Sequence, residues 1–284
     1  MKSANKKVPV AFQGELGAFS QQAIAQFLGT DATPVAFARF DAAFAALAAG
    51  EVKAAAIPVE NALHGSVHEN YDLLLKHDFE ITAETTVRVI LNLIAPPGLP
   101  LSKVRKVFSH PVALGQCLEF FGKNPNMERE AFYDTAGSVK MVIADRPANS
   151  AAIASELAAN IYGAHILKRG IEDDPQNFTR FFLLEPKGSK VRETPVSRRK
   201  PWKTSLVFTT GNAPGALFRA LAALALRDLN LVKIESRPLR GKPWEYLFYL
   251  DLLGHREDKA VRNALSHLGE VADFLRVLGT YRSA

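Results

Sequence analysis

Apolar residues along this chain recur at two spacings, every second residue and every third or fourth, and the alternation outlines the elements. Val8–Phe12 reads as a strand, and Ser20–Leu28 as a helix with Ala23, Ile24, Phe27 and Leu28 on one face. Asp41 stands where it would cap a short helix carrying Phe44 and Leu47 and ended by Gly50. Val52–Val59 is an expected strand, and Ser66 with Glu69 has capping-box spacing before a helix through Tyr71, Leu74 and Leu75. From about Thr85 the rhythm restarts with a long strand, Val87–Ala95, stopped by Pro96-Pro97-Gly98. Val104–Phe108 is a strand feeding Ser109, an expected N-cap, and a helix to Phe121. Asp134 and Thr135 open a helix with Val139, Val142 and Ile143 inward, and Ser150–Tyr162 reads as another, closed by Gly163. Ile166–Ile171 and Phe178–Leu184 return as strands. Alternating strands and helices imply α/β layers around parallel strands.

A break follows. Pro186, Gly188, Pro195 and Pro201 interrupt both periods. Beyond it the pattern predicts strand Lys203–Thr210, helix Pro214–Arg227, strands Leu231–Arg237 and Trp244–Leu252, helix Asp258–Leu268 and strand Ala272–Leu278. That βαββαβ order is the ferredoxin-like split unit.

Composition narrows the class. The 284 residues suffice for one large or two modest cores, and 48% hydrophobic with 23% charged residues is ordinary for a globular protein. No apolar run approaches the ~20 residues of a membrane helix. The polar Met1–Lys7 segment leads straight into a strand, so no signal peptide is expected. Cys117, the single cysteine, excludes an internal disulfide and suggests a reducing, cytoplasmic setting; among Leu114, Leu118 and Phe121 it reads as a buried apolar residue. The net charge of +6 is carried wholly by residues 187–203, where Lys187, Lys190, Arg192, Arg198, Arg199, Lys200 and Lys203 oppose Glu193 alone. A solvated linker accounts for such a run better than nucleic-acid binding.

Several chemistries lack their residues. Gly14 and Gly17 are not followed by the third glycine and acid of a dinucleotide site, and there is no phosphate loop or nucleophile elbow. His64 and His68 have no further ligand pattern beside them, so no metal is expected. What remains is a set of neutral polar residues at expected helix starts, Ser66, Ser109 and Thr135, where free N–H groups can cap or hold carboxylates. Thr179-Arg180 adds a hydroxyl and a planar cation within an apolar stretch, facing either a cleft or water.

Four segments, Gln13–Ser20, Pro58–Val67, Ser109–Cys117 and Asn177–Phe182, resemble in order and spacing the motifs of the prephenate dehydratases. Gly215-Ala216-Leu217 and Glu235-Ser236-Arg237-Pro238 resemble the phenylalanine-binding motifs of that family's regulatory ACT domain. The resemblance runs from about Val8 to Thr280. Asn70–Leu75 and Asp134–Gly137 are similar to the branch that includes the plant arogenate dehydratases. The chain departs from the commonest family wording at Ala62, where serine is frequent, and at Val112, where glutamine is frequent.

The resemblance implies a catalytic domain over residues 8–186 with two α/β lobes similar to periplasmic binding proteins. Those lobes would be about 8–84 with 163–186, and 85–162. A basic linker at 187–201 and an ACT domain at 202–284 would follow. It implies loss of carbon dioxide and water from prephenate, or alternatively from arogenate, with no cofactor, and L-phenylalanine as inhibitor of a homodimer or homotetramer; a non-catalytic amino-acid-binding sensor is the alternative from another class. Carried over onto this sequence, Thr179 is the expected donor to the leaving hydroxyl. Asn61, Ser109, Gln116, Thr135, Arg180 and Phe181 are expected at the substrate. Asn212, Gly215, Ala216, Leu217, Glu235, Ser236, Arg237 and Pro238 are expected at the effector. Arg180 would hold a carboxylate or brace its strand, and Glu60 would act as general acid or serve structurally. Ser109 and Gln116, seven apart, would face the cleft from one helix.

Overall fold

The structure is a computed structural model describing residues 7–192, 197–239 and 245–284. The chain divides into two compact units, one running through His77 and then Thr85–Leu183, the other comprising Asp78–Glu84 and Leu184–Ala284.

In chain order the elements are β1 (Val8–Gln13), α1 (Phe19–Leu28), β2 (Ala32–Phe37), α2 (Phe40–Ala48), β3 (Ala54–Asn61), β4 (Gly65–Ser66) and α3 (His68–Lys76). β5 (Phe79–Arg88) starts in the second unit and ends in the first. Next come β6 (Asn92–Ala95), β7 (Lys106–Ser109), α4 (Pro111–Gly115), α5 (Leu118–Lys123) and β8 (Glu128–Ala131). After them lie α6 (Thr135–Asp145), β9 (Ser150–Ala154), α7 (Glu156–Tyr162), β10 (His165–Lys168) and β11 (Phe178–Pro186). The rest of the chain forms β12 (Trp202–Thr209), α8 (Ala216–Ala225), β13 (Leu231–Pro238), β14 (Tyr246–Leu253), α9 (Lys259–Val271) and β15 (Phe274–Arg282).

The first unit is two α/β lobes. One is built on strands ordered β11-β3-β1-β2, with β1 parallel to both neighbours and β4 antiparallel to β3. The other is built on β10-β6-β9-β7-β8, in which β7 is parallel to β8 and β9. Central parallel strands are covered on both faces and so read as unbroken apolar runs. Ala54–Ile57 in β3 and all of β9 are buried accordingly. The second core gathers Leu91, Leu93, Val107, Phe120, Ile153 and Cys117, whose thiol titrates well above its usual range because burial disfavours the thiolate.

Several expectations need correction. Ser150–Ala154 is a strand, and only the residues after the Ser155 N-cap are helical; a short alanine-rich run carries no period to separate the two. The segment Val87–Ala95 is two strands, β5 and β6, broken at 89–91. The single helix to Phe121 is α4 and α5, interrupted at Gln116–Cys117. Asp41 lies inside α2 paired with Arg39, which is the N-cap residue. β2 and β8, half-exposed edge strands with little alternation, were not anticipated. β10, placed in the first lobe by the resemblance, pairs with β6 in the second.

In the second unit the βαββαβ order holds, as β12-α8-β13-β14-α9-β15, with Trp244 outside the described residues. Its strands run β13-β14-β12-β15, and Ile81 of β5 pairs with Gly279 of β15. Leu206, Phe208, Leu224, Leu250 and Leu268 form its core. The basic segment is not uniformly solvated. Lys187 pairs with Asp78, Arg192 with Glu185 and Lys203 with Glu84, so part of the charge excess is neutralised locally.

Candidate active site

Successive side chains on a strand point to opposite faces, so Thr179 and Arg180 of β11 cannot serve one cleft together. Thr179 lines a cavity of about 430 Å³ with Asn61, His64, Ser66, His110, Gln116 and Thr135, walled by Phe19, Val89, Leu91 and Val112. That volume suits a small-molecule ligand. Arg180 is held instead on Glu60, 3.4 Å away, with its guanidinium 4.8 Å from the Phe182 ring centroid. In this position Arg180 bonds within its own lobe, with Glu60 as a partner. Phe181 shares the parity of Thr179 but is 2% exposed and belongs to the core.

Asn61 ends β3 and organises the site. Its Oδ1 accepts the backbone N–H groups of Leu63 and His64, both at 3.0 Å, closing an Asx-type turn. Its Nδ2 donates to Asn177 Oδ1 at 2.8 Å and to Thr179 Oγ1 at 3.0 Å, with the Phe178 carbonyl a longer third acceptor at 3.2 Å. Backbone amides only donate, so this amide has one orientation. The Thr179 oxygen therefore receives a hydrogen bond, and its own proton is left for a ligand. Asn177, fully buried, donates through Nδ2 to Gln116 Oε1 at 3.0 Å. Gln116 Nε2 lies 3.1 Å from His64 Nδ1. The Val89 N–H, bonded to the Asn177 carbonyl at 2.8 Å, fixes the start of β11. Neither Asn177 nor His64 stood out in the sequence; Asn177 had only its place beside Thr179 as a signal.

The expected helix starts behave differently. Ser66 is in β4, and α3 begins after Val67 without a side-chain cap. Ser109 is in β7, fully buried, with its hydroxyl donating to the Ile153 carbonyl at 2.6 Å; it is not at the cavity, and His110 caps α4. Gln116 does reach the cavity, from the end of α4 and not from a shared helix with Ser109. At α6, Asp134 is the cap, accepting the Gly137 N–H at 2.7 Å, and Thr135 follows at the cavity edge. Burial, reinforced by Glu15, raises the Asp134 carboxyl above its usual range against the pull of that cap bond. Among the described residues lining the cavity there is no carboxylate, lysine or arginine. Its polar groups are hydroxyl, amide and imidazole.

In the second unit Asn212, Ala216 and Leu217 line a pocket of about 160 Å³ with Thr210, Glu245, Tyr246 and Phe248. Cavities near this size accept a benzene ring. Gly215, at φ 75, is the left-handed N-cap residue of α8, a conformation that a β-branched residue would strain. Glu235–Pro238 do not line the pocket. They lie on β13, where Ser236 pairs with Phe248 and Pro238 with Tyr246, one strand over from its wall.

A bilobed α/β unit with a polar cavity is followed by a βαββαβ unit. The family model for prephenate dehydratase matches residues 10–189, and that for the ACT domain residues 204–270. The chain belongs to the prephenate dehydratase family. It is 43% identical over 98% of its length, and 74% of the relative's, to arogenate dehydratase/prephenate dehydratase 2, chloroplastic, of Arabidopsis thaliana. A prephenate dehydratase from Arthrobacter aurescens, solved with L-Phe, superposes with TM-score 0.87 at 32% identity, covering 98% of this chain and 90% of that one. A structure described as GqqA, a novel type of quorum quenching acylase, superposes with TM-score 0.87 at 31% identity, covering 97% and 98%. The protein is thus a dehydratase of the prephenate/arogenate class with a C-terminal ACT domain. The cytoplasmic expectation is overturned by the Arabidopsis relatives, which are chloroplastic by name.

Proposed function

We propose that the chain converts prephenate to phenylpyruvate and is inhibited by L-phenylalanine at the C-terminal pocket. The ring carboxylate leaves as carbon dioxide, its bonding electrons enter the ring, and the ring hydroxyl departs from the opposite carbon, taking a proton to become water. Aromatisation drives the step, so the site has to hold the dianion and stabilise the departing oxygen. Thr179, whose oxygen is already satisfied by Asn61, donates its proton toward that oxygen as charge develops there. The absence of a carboxylate among the described lining residues supports the keto acid over arogenate, whose ammonium group would call for an anionic partner. Turnover of purified protein on both substrates is the test; a higher kcat/KM on arogenate reverses the assignment.

The acylase likeness does not supply a second reading, because acyl transfer needs a nucleophile beside a base and Thr179 faces an amide. Phenylalanine would place its ring in the pocket beside Ala216 and Leu217 and its carboxylate at the start of α8. β13 ends the strand order, so a second copy pairing there would add Glu235–Pro238 to the site in a dimer or tetramer. A sigmoidal inhibition curve in the wild type, abolished in Gly215→Val, is the expected result. Unaltered inhibition of that variant would move the effector elsewhere.

A further inference from the structure

The hydrogen-bond directions around Asn61 do not stop at Gln116, and the side chain at which they end faces the cavity. Asn61 Oδ1 has both lone pairs taken by the N–H groups of Leu63 and His64 at 3.0 Å, so it has no capacity left for the His64 ring 3.3 Å away. Asn61 must then donate to Asn177, Asn177 to Gln116 Oε1, and Gln116 Nε2 to His64 Nδ1. A nitrogen that accepts a hydrogen bond carries no proton. The His64 ring is therefore neutral, with its proton on Nε2.

We propose that His64 is a specificity-determining residue, whose Nε2–H donates to the keto oxygen of the substrate side chain and selects a keto acid over the corresponding amino acid. The inference rests on the dehydratase reading above and adds to it the group that reads the side chain. A neutral imidazole fixed as a donor complements a carbonyl oxygen. Toward an ammonium group it offers only a second donor, and the rest of the ring network cannot reverse to offer an acceptor without breaking the bonds of Asn61 to two backbone amides. A site built to donate to an oxygen discriminates strongly against a partner that cannot accept. His64 and Thr179 share Asn61 Nδ2 as their anchor, which bonds Thr179 directly and reaches His64 only through Asn177 and Gln116, so a change at His64 leaves the bond to Thr179 in place.

The experiment compares wild type, His64→Phe and His64→Gln on prephenate and on arogenate, with thermal melting of each to confirm folding. Phenylalanine at position 64 keeps the ring and removes the donor; glutamine restores an N–H near the position of Nε2. His64→Phe is expected to lose at least ten-fold in kcat/KM on prephenate and no more than about three-fold on arogenate. The preference ratio thus moves at least three-fold, and His64→Gln recovers part of it. A merely structural role would lower both substrates together, and that result would overturn the proposal. So would a larger loss on arogenate. Wild-type protein inert on both substrates would sink the dehydratase reading itself, and the assignment of His64 with it.

Discussion

Replacing Asn61 with Asp is nearly isosteric yet reverses the hydrogen bond on which Thr179 depends. One carboxylate oxygen still accepts from Leu63 and His64, but the other now faces Thr179 Oγ1, 3.0 Å from the present donor, as an acceptor. The threonine proton turns to it, because a charge-assisted bond to a carboxylate is stronger than one to a neutral partner. The donor aimed at the leaving oxygen is lost while the hydroxyl remains in place. One preorganised donor is worth about 100-fold in turnover, or ~2.7 kcal/mol. Thr179→Ala and Asn61→Asp should each therefore cost at least ~100-fold in kcat, and the new charge beside a dianion should raise KM in the second. The decisive measurement is the double variant. With its proton already captured, removing the Thr179 hydroxyl from Asn61→Asp should cost less than about three-fold more, a strongly non-additive cycle. Steady-state kinetics on prephenate and arogenate with melting curves give the four corners. A full ~100-fold further loss in the double variant would show that Asn61 does not direct Thr179, and near-normal turnover of Thr179→Ala would remove Thr179 from the mechanism.

A chain ended before Lys187 should keep turnover and lose all response to phenylalanine, with a lower melting temperature because Asp78–Glu84 would lack the rest of its unit; inhibition that persists would place the effector in the cleft. Gly279→Ala should destabilise by about 1–3 kcal/mol or more, since a Cβ there would meet the Ile81 carbonyl oxygen at 2.3 Å and backbone cannot step aside; denaturant unfolding measures it. Asp134→Asn keeps the cap and removes a buried charge, so it should raise the melting temperature at pH 7–8. The sign follows from a folded pKa above the unfolded one: the charge costs stability in full above the folded value, and the advantage of Asn shrinks as pH falls through it and vanishes below about pH 3, where the unfolded chain also holds the proton.

What the sequence disclosed depended on whether a property was local. The βαββαβ unit was legible because each of its elements carries its own period, as the alternately exposed β13 does. The place of Thr179 at the cavity agrees with its motif. The partition of Thr179 from Arg180 follows from strand geometry alone, yet a motif written as adjacent letters conceals it. Ser109 looked like a cap because serine before a proline-started turn usually is one; only the pairing of β7 beside β9 shows its hydroxyl spent on Ile153. Asn177 and His64 gain their roles from partners 116 and 52 residues away, and no spacing rule reaches that far.

Residues 85–183 are, in polymer terms, a long loop inserted between two segments of the C-terminal unit. Closing a flexible loop of that length costs about 4 kcal/mol of chain entropy, which prior folding of the inserted residues would reduce. The hydrogen bond from Thr82 to Glu185 closes it, whereas Ile81 against Gly279 joins β5 to β15, which follows both lobes in chain order. During synthesis the two lobes can therefore assemble while Asp78–Glu84 still waits for its partner. The unit that holds β12–β15 should fold in a later phase than the two lobes, because it needs β5 to pair with a strand that follows both of them.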